Sequence, residues 1–160
     1  MVARRTRALC GIVLFMDNMS REQWWAFASD GTRTGKLATV RANGAAHIAP
    51  IWFLLNDQDG HDEIIFNTGA ETVKGKALRR DPRFSICVDV SEPPYSYVVI
   101  QAEAVISEDL DESLVWATRL AARYMGEDKA EVFGKRNAVP GELLVRGRIT
   151  KVIAHANVAD

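Results

Sequence analysis

Five basic residues (Lys74, Lys76, Arg79, Arg80 and Arg83) fall between Thr72 and Arg83 against one acid, Asp81, in a chain of 160 residues whose formal net charge is -1. They belong to NTGAETVKGKALRRDPR, residues 67–83, which leaves the apolar run EIIF, passes through small and polar residues and enters a basic segment. The pattern predicts a helix starting near Thr72, whose hydroxyl can cap the free N–H groups of the first turn. A helix N-terminus carries about half a positive charge and outward-pointing donors, so those N–H groups can also receive an anion. Lys74 in that first turn is unfavourable for the helix dipole unless something negative compensates it. Thr72 and Lys74 therefore read as a candidate phosphate seat. Arg79 and Arg80 also suit the helix C-terminus, and Lys76 a solvated face, so their roles stay open.

Other reactive residue types give weaker patterns. His47 lies on a strand and reads as a structural hydrogen bonder, while His61 and His155 have no Ser, Cys or carboxylate pattern for nucleophilic catalysis. Cys10 and Cys87 are far apart in apolar surroundings and form no CxxC or Cys/His cluster, which argues against a metal and for buried thiols in a reducing cytoplasm. Trp24, Trp25 and Trp116 read as packing. Asp109, Asp111 and Glu112 read as acids at a helix N-terminus. The basic segment has no interleaved aromatics before Phe84, unlike a surface that stacks single-stranded nucleic acid.

The elements that must position these residues follow from turn chemistry and periodicity. Length and a hydrophobic fraction of 48% suit one domain. The near-neutral charge gives no general attraction to nucleic acid or anionic membrane. The amino terminus is basic and then apolar, but its run Ala8–Met16 is too short to span a bilayer and precedes no small-residue cleavage site. Residues 1–19 thus read as an extension or added edge strand without a targeting role, and residues 20–160 as the domain proper.

Ser20 with Gln23 forms a capping box for a helix over about 21–28. GKLATVRANGAAHIAPIWFLL reads as two strands joined at Asn43-Gly44. EIIFNT, DPRFSICVDV and YSYVVIQAEAVIS supply more strands, and GELLVRGRITKVIAHANV one or two at the end. DESLVWATRLAARYMG places Leu114, Ala117, Ala121, Tyr124 and Met125 on one helical face, stopped by Gly126. The expectation is a mainly β, antiparallel barrel of about six strands with three helices.

TGKLATVRANGAAHIAPIWF, IIFNTGAETVKGKALRRDPRFSICVDV and YSYVVIQAEAVIS, in this order, resemble the pyridoxamine 5′-phosphate oxidase-like superfamily of FMN-binding split β-barrels, and within it the branch that uses the deazaflavin coenzyme F420. The likeness runs from about Ser20 to Val158. It implies a homodimer with two cofactor sites at the subunit interface. It also implies that Ala49, Pro50, Ile51 and Trp52 lie along the ring, that Asn67 and Thr68 contact the sugar-alcohol chain or phosphate, and that Thr72, Val73 and Lys74 hold the phosphate. Tyr95 matches a position where the partner subunit offers an aromatic residue near the ring. FMN-binding members typically carry Arg-Lys where this chain has Val73-Lys74. The missing guanidinium removes a bidentate partner for a terminal phosphate dianion, whereas a phosphodiester carries one charge. Lys76, Arg79, Arg80, Arg33 and Lys36 are then candidates for the acidic tail of the deazaflavin.

The implied activity is hydride transfer from reduced F420 to an electron-poor double bond of a small organic substrate. The alternatives are an FMN-dependent oxidoreductase of the same fold, or a non-catalytic protein that binds F420, a flavin or a tetrapyrrole. No general acid is identifiable, and the loops SEPPYS and EDKAEVFGKRNAVPGE carry no readable motif.

Overall fold

The computed structural model describes residues 17–159. Cys10 and the apolar run Ala8–Met16 lie outside the described residues.

Eight strands alternate with four helices among the described residues. They are β1 (Asp17–Asn18), α1 (Arg21–Ser29), β2 (Gly35–Val40), β3 (Ala46–Ile51), β4 (Leu54–Asn56), β5 (Glu63–Gly69), α2 (Val73–Arg80), β6 (Arg83–Asp89), β7 (Tyr97–Ser107), α3 (Leu110–Met125), α4 (Ala130–Asn137) and β8 (Glu142–Ala156). A single 3₁₀ turn, Glu127–Lys129, joins α3 to α4. Every strand pair is antiparallel, in the order β3-β2-β6-β7-β8-β5-β4, with β1 added to β8.

The two ends of this path, β3 and β4, are separated in the chain only by Trp52 and Phe53. The sheet is therefore rolled until its edges meet at that link, where no ladder joins β3 to β4. The expected IWFLL strand is in fact two strands that pair with opposite edges: Ile51 pairs with Gly35, and Leu54 with Ile65. This break and the short β1 raise the expected six strands to eight. The fourth helix, α4, comes from AEVFGKRN, which the sequence leaves as loop. It packs on α3 where Gly134 meets Thr118.

Alternation fills the barrel. Leu37, Ile86, Val88, Val98, Ile100 and Val145 point inward with Phe53, Phe66 and Phe84, and Trp24 and Ala28 of α1 join the same cluster. Phe66 and Phe84 meet edge to face at 5.6 Å, a favoured aromatic geometry. The continuous apolar runs Ile64–Phe66 and Leu143–Val145 are buried without alternation. A strand covered on both faces reads this way, and α3 lies over β5 and β8. At the front of α1, Gln23 N–H donates to the Ser20 hydroxyl at 3.3 Å and Ser20 N–H to the Gln23 side chain at 2.7 Å, the expected capping box. Asn43-Gly44 turns β2 into β3, with Gly44 at φ +84°.

Candidate functional site

A cleft of about 240 Å³ opens where the barrel is split. One wall is the end of β3 with the link that follows it (Pro50, Ile51, Trp52), and the other is the end of β5 (Asn67, Thr68, Gly69) running into α2 (Thr72, Lys74). Leu120 of α3 and Asn137 of α4 complete the lining.

The split makes both walls chemically open. β3 is paired only along β2, and β4 pairs β5 only at Glu63–Ile65, so Phe66–Gly69 have no strand partner on that side among the described residues. Backbone groups on such edges need partners and can take them from a ligand.

Thr72 begins α2 as expected. Gly75 N–H donates to its hydroxyl oxygen at 3.1 Å, the hydroxyl donates to the Gly69 carbonyl at 2.7 Å, and Thr68 Oγ1 lies 3.1 Å away. The helix can start so close to β5 because position 75 is glycine: a Cβ there would stand 2.3 Å from the Gly69 carbonyl oxygen. Lys74 forms no ion pair among the described residues. The acid that feels it is Glu142, whose carboxyl is pushed up by burial and drawn back by the Lys74 charge. Glu142 pairs with Gly69 in the β5–β8 ladder.

That arrangement fixes a sign. An anion at Lys74 would raise the Glu142 pKa further, so anion binding takes up a proton and tightens as pH falls. Glu142→Gln is expected to strengthen inorganic phosphate binding by about two- to fivefold at pH 8, the scale of a partly solvated charge interaction. The advantage should vanish at acidic pH, where the native carboxyl is neutral. Calorimetric titration at both pH values checks it, and a variant no different from the native chain at pH 8 would remove Glu142 from the seat.

Asn67 contributes an unspent acceptor. Its Nδ2 donates to the buried Ser113 hydroxyl of α3 at 3.3 Å, while its Oδ1 is buried without a partner among the described residues. Leaving a buried acceptor unpaired costs more than a hydrogen bond gains, so such an atom calls for a donor. Trp52 stacks on Tyr124 of α3, with ring centroids 5.1 Å apart and planes 1° from parallel.

Pro50, Ile51, Trp52, Asn67, Thr68, Thr72 and Lys74 are thus brought together, and the remaining residues singled out by the sequence are not. Ala49 pairs with Leu37 one residue short of the lining. Val73 is exposed and, with Lys76 and Arg80, faces a neighbouring depression completed by Arg41, Ala42 and Asn43. Lys76 pairs with Glu71 at 3.0 Å, and Arg80 donates to the Val40 carbonyl. Arg79 pairs with Glu108, Arg33 with Asp30 and Lys36 with Asp89. Of the five cations grouped by sequence as candidates for the acidic tail, Lys76 and Arg80 share this depression, and Arg79, Arg33 and Lys36 lie outside both it and the cleft. Tyr95, at φ +54°, lies outside the cleft of its own chain. Among the described residues, no group of three His, Cys, Asp or Glu side chains is placed to hold a metal, and no helix is long and apolar enough to cross a membrane.

Sequence reasoning missed Gly69, Leu120, Asn137, Ser113 and Glu142. Gly69 stood inside the motif that was read, and Leu120 sat in a helix recognised as amphipathic, but nothing local points α3 or α4 at the cleft.

A sequence model of the family described as pyridoxamine 5′-phosphate oxidase matches residues 22–156. No curated protein sequence matches the chain. Among solved structures, a conserved hypothetical protein from Mycobacterium tuberculosis is similar at 24% identity and a TM-score of 0.75, covering 87% of this chain and 86% of that one. An F420 reductase is similar at 20% identity and a TM-score of 0.60, covering 79% and 94%. A heme binding protein from Mycobacterium smegmatis is similar at 21% and 0.59, covering 85% and 54%. At these identities the likeness shows a shared fold.

Proposed function

The chain belongs to the pyridoxamine 5′-phosphate oxidase family, and on that premise we propose that it is a reductase that uses the deazaflavin coenzyme F420, working as a cytoplasmic homodimer on a small organic acceptor. The observation that carries the reading is Lys74: a cation in the first turn of α2, on the cleft wall, with no acid paired to it among the described residues.

The residues present fit the coenzyme. Lys74, the Thr72 hydroxyl and the α2 N-terminus would hold its phosphodiester. Val73 faces the neighbouring depression, so one side-chain charge serves the seat, which suits a monoanion better than the dianion of FMN. Asn67 Oδ1 would accept from a hydroxyl of the sugar-alcohol chain, and the free edge of β3 with Trp52 would lie along the ring. When bound, the reduced coenzyme supplies the hydride. The protein's part is to bind, orient one ring face and exclude water. Among the described residues the lining of the cleft includes no Asp, Glu or His, which supports a proton from solvent or substrate. Its volume is below the range of about 300–1,000 Å³ usual for small-molecule sites, which supports a second wall from the partner subunit, with Tyr95 as its aromatic contribution.

Fluorescence titration of the native chain and of Lys74→Ala, with oxidised deazaflavin and separately with FMN, tests the proposal. Micromolar or tighter deazaflavin binding is expected, weakened about 10- to 100-fold by the substitution, the worth of a hydrogen bond to a charged group. Preference for FMN would turn the reading to a flavin oxidoreductase, and binding of neither would overturn it.

A further inference from the structure

The chain crosses the split at Trp52–Phe53, where the backbone leaves one sheet edge and joins the other. A crossing of this kind strands its peptide groups, because no neighbouring strand is in register with them. Here both polar backbone groups of Phe53 are taken by consecutive residues at the end of α3. Phe53 N–H donates to the Tyr124 hydroxyl oxygen at 3.2 Å, and the Phe53 carbonyl accepts from Arg123 Nη1 at 2.8 Å.

The same two side chains tie the crossing to the end of α1 and the loop that follows it. Tyr124 donates its hydroxyl hydrogen to the Arg33 carbonyl at 2.8 Å, and Arg123 donates through Nε to Gly31 at 2.9 Å and through Nη2 to Ala28 at 2.8 Å. The guanidinium lies 4.7 Å from the centroid of the Phe53 ring. Arg123 forms no ion pair among the described residues. All three nitrogens of its fork go to backbone carbonyls instead. A planar fork with fixed donor directions can do this, and a lysine ammonium cannot reproduce it.

The aromatic ring of Tyr124 meanwhile lies parallel to the Trp52 indole, on a side chain that lines the cleft. One residue thus fixes the backbone next to Trp52 and the plane of its ring. We infer that Arg123 and Tyr124 are the positioning residues of the cleft, acting through Trp52: they replace the missing strand pairing at the crossing, keep the split open and hold the indole in one orientation for a flat ring to lie against. The last clause rests on the coenzyme reading above; the first two do not.

The two can be separated. Incorporation of 5-fluorotryptophan gives a ¹⁹F signal for each of the four tryptophans, and Trp52→Phe identifies the signal of interest. In Tyr124→Phe, which keeps the ring and loses the hydroxyl, the Trp52 signal is expected to shift or broaden while those of Trp24, Trp25 and Trp116 stay in place. Arg123→Lys is expected to do the same, and Tyr124→Leu to change the signal most. An unmoved Trp52 signal in both Tyr124→Phe and Arg123→Lys overturns the inference, whatever the ligand proves to be. In the ligand arm, Tyr124→Phe should weaken deazaflavin binding about tenfold while leaving inorganic phosphate binding at Lys74 unchanged, since the seat is on the other wall. Equal loss of both would reduce the pair to general stabilisers and also overturn it. If the native chain binds no deazaflavin, the coenzyme reading fails and the ¹⁹F result alone decides the positioning role.

Discussion

Replacing Arg146 with methionine is expected to lower stability by about 3 to 5 kcal/mol, the cost of leaving one member of a buried ion pair behind. Glu63 is 3% exposed and receives Arg146 through Nη2 at 2.6 Å and Nε at 3.2 Å. The same guanidinium reaches Glu112 of α3 at 3.2 Å and Asp59 of the β4–β5 turn, so one side chain of β8 ties three other segments together. Asn56 and His61 complete the shell of Glu63 at 3.2 and 2.8 Å.

Two effects oppose each other at Glu63. Burial raises its pKa, but the hydrogen bonds from Arg146, Asn56 and His61 outweigh burial, and the net displacement is downward. Its contribution is therefore present above the ordinary glutamate value and is lost as pH falls through the depressed one. In Arg146→Met only the Asn56 and His61 hydrogen bonds oppose burial, so the downward displacement shrinks and less of the pH-dependent contribution remains. Chemical denaturation midpoints measured across this range should rise with pH more steeply for the native chain than for the variant. Parallel profiles would mean that Arg146 contributes packing against Trp116 rather than charge.

Gly75→Ala is the second large effect, expected at about 1 to 3 kcal/mol or more as overpacking. The added Cβ would meet two backbone oxygens, of Gly69 at 2.3 Å and of Ala70 at 2.8 Å. Neither can turn aside as the tip of a side chain could, so α2 must move away from β5. The Thr72 cap and Lys74 move with it, and phosphate affinity should fall together with the melting temperature. Thermal melts with and without phosphate separate the two: a variant that melts lower but gains the native stabilisation from phosphate would show that the seat does not depend on this contact.

What the sequence made legible was local. The step from EIIF through Thr72 to Lys74 could be read because a strand end, a cap and a first turn fall within about a dozen neighbouring residues. The Asn43-Gly44 turn was legible for the same reason. The break at Trp52–Phe53 was not, because the groups that stabilise it, Arg123 and Tyr124, stand 70 and 71 residues away in the chain. The ion pairs of the candidate tail-binding cations were not legible for the same reason. Arg79 and Lys36 look free beside their sequence neighbours, yet Glu108 and Asp89 meet them from 29 and 53 residues away. The α4 segment lacks a side-chain cap, and its helix is supported by the close seat of Gly134 on Thr118.

The position of β8 between β7 and β5 also sets a schedule. On a ribosome adding roughly 5 to 20 residues per second, the interval from Gly69 to its ladder partner Glu142 is about 4 to 15 seconds. Throughout that time Ile64 and Ile65 are synthesised but have only β4 beside them, an apolar edge of the kind that pairs with other nascent chains. Gly69 meets Glu142 and Ala70 meets the Gly141 carbonyl only when β8 begins. The Thr72–Lys74 wall of the cleft is therefore encoded in the middle of the chain but assembled near its end, and a translation pause before residue 141 prolongs the exposure of β5.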